Sequence, residues 1–518
     1  MYTRKILNLL VFAAILLVFS LETYGVEIKD LIAADDLARI RDIKTTRTTG
    51  ILEMGGLTGE MEVIFAAPNK IYTVTDLKIL KMVQGFDGEK AWMIDQNGQV
   101  LELSGMERRN MVSGAYMTGM SYMIDHRMPG SVAYQKDTTV KEIEYHVFSV
   151  LPEDGDSLWI FINTHNHRLE VVRERLDEID VMTYMSDFRT VEGIEVPFVS
   201  TTESDIPQLN TVITTTAFEI NVPVDQSLFE VAVAGDDDYH FPEGEDSVMV
   251  PFEIYAGHIY LRVSIDGLPE GKFILDSGAG TNVLDKTYAE NIGLETGGEV
   301  AAKGVSGYGT AALAEIDSLS VGGVTIFNQV VGIIDLAGLG FEAADSLAGI
   351  MGFDLMQRFP FRLDFKDSLL VFYNPGTFTP PDPKQSVAFE LFMKIPMVKA
   401  QYDDVEGNFI VDFGNALGLI LHRSFIEEHE LDSTLSEVSE MSGRVGGVGG
   451  GADAVAAVGT SFKVGPAEIR NPTLMVAGGS GGLLDSKQVD GNIGNLVLRD
   501  FSVLMDYKNK KMYILPLP

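Results

Sequence analysis

Two apolar stretches in the C-terminal half of this chain each end on an aspartate that is followed, one residue later, by glycine. They are Phe273-Ile274-Leu275-Asp276-Ser277-Gly278 and Phe409-Ile410-Val411-Asp412-Phe413-Gly414. The pattern predicts a core strand with a carboxylate at its mouth, where glycine allows a sharp turn and the close approach of another segment. The surroundings repeat as well. Gly349-Ile350-Met351-Gly352 runs on through Phe359 and Phe361 to Leu363-Asp364-Phe365-Lys366. Gly491-Asn492-Ile493-Gly494 aligns with it without a gap, through Phe501 and Val503 to Met505-Asp506-Tyr507-Lys508. Upstream, Val250-Pro251-Phe252-Glu253-Ile254 matches Val387-Ala388-Phe389-Glu390-Leu391. One ordered set of parts present twice implies two similar lobes. Facing each other, they would bring Asp276 and Asp412 to one cleft.

Two carboxylates about 3 Å apart cannot both ionise cheaply, so they share a proton and titrate as a pair. The ionised member of such a pair would take a proton from a trapped water as that water attacks a carbonyl, and the protonated member would donate to the developing oxyanion. This chemistry calls for no metal and no cofactor. Which aspartate plays which part stays open at the level of sequence, because the proton belongs to the pair.

Residues 250 to 518 resemble the aspartic peptidase superfamily, in particular bacterial two-lobed relatives of the retropepsin and pepsin proteases. The resemblance implies catalysis by Asp276 and Asp412. Ser277, Gly278, Phe413, Gly414, Gly352 and Gly494 would support the catalytic loops. Asp276-Ser277-Gly278-Ala279 fits the family pattern closely. Asp412-Phe413-Gly414-Asn415 departs from it, because Phe413 stands where the family usually has Thr or Ser with a hydroxyl bonded across to the opposite loop. The glycine-rich tracts Gly304-Val305-Ser306-Gly307-Tyr308-Gly309 and Gly443 through Gly451, with Arg444 between, suit flap hairpins whose tips bend freely. Ser306, Tyr308 and Arg444 are the flap candidates; a plain surface-loop reading competes for the second tract.

At 518 residues the chain has room for three to four domain-sized units. Its 39 basic against 75 acidic residues give a net charge of −36, which repels phosphate backbones and argues against nucleic acid as a partner. Arg4 and Lys5 ahead of the apolar run Ile6 to Phe19 read as an export signal, with cleavage expected after Gly25. There is no cysteine, so a disulfide framework, a thiol nucleophile and a lipidated cysteine are all excluded. A bacterial periplasm or the cell exterior is the expected location, and a monomer the expected state.

From Val26 to about residue 235 short strand-like segments such as Glu62-Val63-Ile64-Phe65 and Lys70-Ile71-Tyr72-Thr73-Val74 alternate with turns at Pro68-Asn69, Asp87-Gly88 and Asn97-Gly98. Helical patterns occupy residues 28 to 40 and lie within 106 to 123. Gly85-Phe86-Asp87-Gly88 with Ala91-Trp92, then Tyr184-Met185-Ser186-Asp187-Phe188-Arg189 with Gly193-Ile194 and Pro197, resemble the LolA/LolB-like carriers of bacterial outer-membrane lipoproteins. That resemblance implies a curved, incompletely closed sheet and an acyl chain, apolar peptide or lipoprotein as ligand. The competing reading makes Trp92 and Trp159 core residues.

The expected fold is mainly β: an N-terminal curved antiparallel half-barrel with helices (26–235), followed by a two-lobed pepsin-like acid-protease fold. An acidic stretch (236–249), read as a solvated linker rather than a calcium loop, precedes lobe 1 (250–374), and a Pro-rich linker (375–386) precedes lobe 2 (387–518). Gly478-Gly479-Ser480-Gly481-Gly482 matches a nucleophile elbow in spacing, but no histidine follows Ser480. His165 and His167 could present two metal ligands on one face of a strand, but no third is evident nearby, and a solvent face is the expected place for them. His258 and Asp266 are given structural parts. The functional reading is an aspartic-type endopeptidase acting on peptides or proteins. Its rival is a catalytically impaired binding protein for peptide, lipid or lipoprotein.

Overall fold

The computed structural model describes residues 26–517, apart from 177–178, 233–234, 236–237, 340–346, 440–441 and 479–481. The predicted export signal and Ser480 lie outside the described residues. Among the described residues no helix is long and apolar enough to cross a membrane.

Thirteen antiparallel strands form the N-terminal sheet. Thr45–Met54 and Thr211–Ile220, the first and last of them, pair at its centre, and meanders extend to the edge strands Val100–Leu103 and Gly130–Val140. The helix Gly105–Thr118 links these two edges. It lies across one face, where Met111, Val112, Ala115 and Tyr116 are buried with Phe86, Phe148, Val150 and Ile160. Trp92 is buried and donates its indole N–H to the Phe229 carbonyl at 2.9 Å, so it belongs to the core. Gly85 opposite it is required by packing, since any Cβ there would enter the indole ring. His165 lies in the turn between strands Leu158–Asn163 and Leu169–Leu176 and His167 just beyond it, not on one strand face, because Asn163 Oδ1 accepts the backbone N–H groups of His165 and Asn166 and closes the turn.

The second half repeats one arrangement. In lobe 1, Gly271–Leu275 runs parallel to Leu347–Met351; in lobe 2, Val405–Val411 runs parallel to Gly491–Ile493. Six antiparallel strands join the lobes: Ser247–Pro251, Leu369–Tyr373, Phe361–Asp364, Ser502–Asp506, Lys511–Leu515 and Ser386–Phe392. At its middle Phe361 pairs with Met505 and Leu363 with Val503. In the repeat Phe361 corresponds to Val503 and Leu363 to Met505, so each strand meets its own counterpart about a local two-fold axis. One core spans both lobes, with Phe361 6.1 Å from Phe413 edge to face and stacked on Tyr507 at 6.4 Å.

The acidic segment read as a solvated linker is instead held at several points. Tyr239–His240 forms a short strand against Val324–Ile334, and Tyr239 packs edge-on against Phe359. Asp238 accepts Arg358 Nε and Nη2 at 2.8 and 2.5 Å and Gln99 Nε2 at 2.6 Å. Arg358 also donates to the carbonyls of Asn97 and Asp354, so one buried guanidinium joins the N-terminal sheet, the acidic segment and lobe 1. Lys394 of lobe 2 reaches buried Asp95 at 2.8 Å. Replacing Arg358, whose side chain is 1% exposed, by alanine strands a carboxylate and two carbonyls. The expected loss is about 3 kcal/mol, read as a lower urea midpoint at unchanged slope; an unchanged midpoint would deny this contact a share in stability.

Candidate active site

Each aspartate loop leaves its strand in the same way. Asp276 N–H donates to the Met351 carbonyl at 2.9 Å and Asp412 N–H to the Ile493 carbonyl at 3.0 Å. These bonds tie each aspartate to the apolar-Gly strand beside it. Gly352 and Gly494 then turn past the loops so closely that no side chain fits. A Cβ on Gly352 would meet the carbonyls of Thr281 and Ala279, and one on Gly494 the Leu417 carbonyl and the Asn415 amide. Buried Asn282 accepts the Gly352 N–H at 2.9 Å and completes the lobe 1 support.

The two loops meet. A Cβ on Gly278 would lie 2.8 Å from Asp412 Cγ and Oδ1, and one on Gly414 would overlap the Asp276 carboxyl. Glycine at both positions is what lets each carboxyl approach the opposite loop. Ser277 is fully buried and bridges the lobes: its hydroxyl donates to the Val411 carbonyl at 2.8 Å and accepts the Phe413 N–H at 3.0 Å. Phe413 supplies no hydroxyl in return. Its ring is buried against Phe361, and its carbonyl accepts Asn495 Nδ2 at 2.8 Å, so packing and one amide occupy the place of the second cross-lobe bond.

Burial raises Asp276 well above the ordinary carboxylate range, the negative charge and hydrogen bond of Asp412 raise it further, and the backbone N–H groups of Gly278 and Ala279 oppose the shift. Tyr507, buried beneath the site, is raised chiefly by burial and then by the charge of Asp276. Asp412 Oδ1 accepts the N–H groups of Gly414 and Asn415 at 2.8 and 3.1 Å, and its Oδ2 accepts Asn492 Nδ2 at 2.7 Å. The sequence reading passed over Asn415, Asn492 and Asn495. A signal was present: Asn492 and Asn415 align with Ile350 and Ala279 in the other repeat, so a polar residue replaces an apolar one beside the second aspartate.

Both glycine-rich tracts form hairpins, Gly297–Lys303 with Tyr308–Val321 and Ser442–Gly447 with Gly450–Val458. Ser306 sits at the first tip, Tyr308 pairs with Lys303 at its base, and Arg444 pairs in register with Asp453. The tips touch, with Val305 N–H donating to the Val448 carbonyl at 3.0 Å. A third segment joins them: Leu483 and Leu484 N–H donate to the Gly304 and Val305 carbonyls at 2.9 and 3.1 Å.

Residues 261–355 match a family model described as aspartyl protease. That span holds the first aspartate loop and its Gly352 support and ends before the second loop. No curated protein matches the chain. Among solved structures, a LolA superfamily protein from Nitrosomonas europaea shares 11% identity over 40% of this chain and 99% of its own, with a TM-score of 0.30. A DUF1329 family protein from Desulfovibrio piger shares 13% over 39% and 95%, at 0.28. A domain from Vibrio parahaemolyticus described as outer membrane lipoprotein-sorting shares 10% over 40% and 95%, at 0.29.

Because its folded value is raised, Asp276 binds a proton in the native chain over a range where the unfolded chain has lost it. Stability therefore falls as pH rises from the unfolded value of 3.8 through the folded one. Asp276→Asn removes that penalty. The variant is expected to unfold at higher urea than the parent at about pH 7, with the gap closing as pH drops toward 3.8. A gap of constant size across the series would contradict the raised value.

Proposed function

We propose that this chain is an aspartic-type endopeptidase, with Asp276 and Asp412 sharing one proton and activating a water between the lobes. The observation that carries the reading is the mutual approach of the two carboxyls across Gly278 and Gly414, locked by the Ser277 hydroxyl. One carboxyl held neutral beside an ionisable partner is the acid and base pair that peptide hydrolysis needs. The joined hairpin tips support a lid that parts to admit an extended peptide and then excludes water. Phe413 weighs less against catalysis than its sequence suggests, because its backbone N–H keeps the bond to Ser277 that aligns the second loop. The chain would act as a monomer outside the cytoplasm, in the periplasm or beyond. Purified chain lacking residues 1–25 is expected to cleave unfolded protein substrates at acidic to neutral pH, with Asp276→Asn slower by at least about 10³-fold; equal cleavage by both proteins would refute the assignment and leave the peptide-binding alternative.

The N-terminal sheet supports a second, binding role. A cavity of about 940 Å³ is lined by Tyr116, Tyr122, Met128, Val132, Tyr134 and Phe148 together with Glu27, Lys29, Ser121, Asp125 and His126, a size within the range of small-molecule sites. The aromatic and aliphatic side chains would meet a short acyl chain, and the charged residues at Glu27, Lys29 and Asp125 a polar head, free or on a lipoprotein. Mass spectrometry of organic extracts of the full chain should find such a lipid, and Val132→Trp should abolish its recovery; equal recovery from both proteins would place the lipid elsewhere.

A further inference from the structure

The duplicated lobes are not equivalent at the dyad, and a chain of amides makes the difference. Leu417 N–H donates to Asn415 Oδ1 at 2.9 Å. Asn415 Nδ2 donates to Asn492 Oδ1 at 2.8 Å, and Asn492 Nδ2 donates to Asp412 Oδ2 at 2.7 Å. Amide oxygen and nitrogen are often interchangeable, but here a backbone N–H, which can only donate, starts the relay and fixes the direction of every member. Asp412 thus receives a side-chain donor on one oxygen and two backbone N–H groups on the other. In lobe 1 the equivalent positions are Ile350 and Ala279, whose side chains have no donor to offer, and Asp276 Oδ1 accepts the backbone N–H of Gly278 at 2.7 Å.

We propose that Asn492 is a positioning residue that localises the negative charge of the pair on Asp412 and leaves the shared proton on Asp276. Hydrogen bonds from N–H donors stabilise the ionised form of a carboxyl and do nothing for a protonated oxygen that needs an acceptor. The assignment rests on the peptidase reading and sharpens it. Asp412 takes the proton of the water as the new carbon–oxygen bond forms, and Asp276 gives its proton to the carbonyl oxygen, so the pair ends the step with its proton on the opposite partner. The upward displacement of Asp276 agrees with this direction. The other titratable groups nearby do not compete: Tyr507 points its hydroxyl at Met356 Sδ, Asp490 accepts the Asn408 N–H, and Asp354 accepts Thr281 Oγ1 and the Asn282 N–H.

The test is Asn492→Ile, which copies the residue of lobe 1, made in the full chain and in Asp276→Asn and Asp412→Asn backgrounds. Carboxyl carbon-13 NMR of aspartate-labelled protein follows titration whether or not a peptide is cleaved. In the full chain the first proton is expected to leave the pair about one pH unit higher than in the parent. In the Asp276→Asn background the remaining titration should move up by a similar amount, and in the Asp412→Asn background it should stay in place. Asn415→Ala, which frees the Asn492 amide while keeping its nitrogen, is expected to give a smaller shift of the same sign and serves where Asn492→Ile does not fold. With a cleavable peptide the acid limb of kcat/KM should shift with the NMR titration. Equal shifts in both single-aspartate backgrounds, or none in either, overturn the proposal. Shifts as expected in a chain that cleaves no peptide uphold the charge assignment and refute the activity instead.

Discussion

One buried hydroxyl carries the geometry of the site. Ser277 Oγ holds the Val411 carbonyl and the Phe413 N–H at once, so the last residue of one lobe's strand and the first turn of its loop are fixed to the other lobe's loop. A net hydrogen bond is modest, but an orphaned buried N–H costs about 1–3 kcal/mol. Lateral slippage of the lobes is therefore penalised at the point where the carboxyls meet. The six-stranded sheet beneath adds the coarse constraint, since its central pair joins equivalent strands and leaves the two loops facing across the same axis. Sheet and hydroxyl act at different scales. The first sets the lobes opposite each other, and the second ties the two loops directly together.

That fixation is needed because the pair repels itself. Burial and the neighbouring charge both drive Asp276 toward its neutral form, and an unconstrained chain would relieve the strain by turning a carboxyl to water. Glycine at 278 and 414 removes the side chains that would keep the acids apart, and the Gly352 and Gly494 turns close off the space behind them. Destabilising electrostatics at the dyad are thus held by packing elsewhere: the common core carries Phe361, Phe413 and Tyr507 directly under the loops.

The sequence was most legible where its features were duplicated. Strand, Asp-x-Gly and apolar-Gly segment each appear twice, so Asp276, Asp412, Gly352 and Gly494 stand out from one chain without any alignment. What differs between the repeats was harder to read. Phe413 was visible as a missing hydroxyl, yet its consequence depends on a backbone N–H and on a ring contact with Phe361, neither of which residue type reveals. Asn492 was hidden because it sits in a strand otherwise apolar, and its partner Asn415 is 77 residues away. The acidic segment misled for a related reason: charge density signals solvent, but Asp238 is matched by an arginine 120 residues further on.

The N-terminal sheet and the first hairpin are bonded and packed together. Glu299 N–H donates to the Gly55 carbonyl at 2.9 Å, Gln208 Nε2 donates to Thr310 Oγ1 at 2.8 Å, and Leu313 and Val330 are buried with Leu52, Leu77 and Leu80. Both strands of the hairpin are thereby fastened to the N-terminal sheet, whereas the tip between Lys303 and Tyr308 makes backbone bonds to Val448, Leu483 and Leu484. Opening by rotation of the whole hairpin would expose that apolar interface, at about 25 cal/mol for each Å² uncovered. Opening at the glycine-bearing tip breaks three backbone bonds that water can replace and parts Val305 from the small apolar cluster of Val445 and Leu484. The local motion disturbs fewer apolar contacts, so the N-terminal sheet steadies the strands of the hairpin and leaves its tip the easier part to displace.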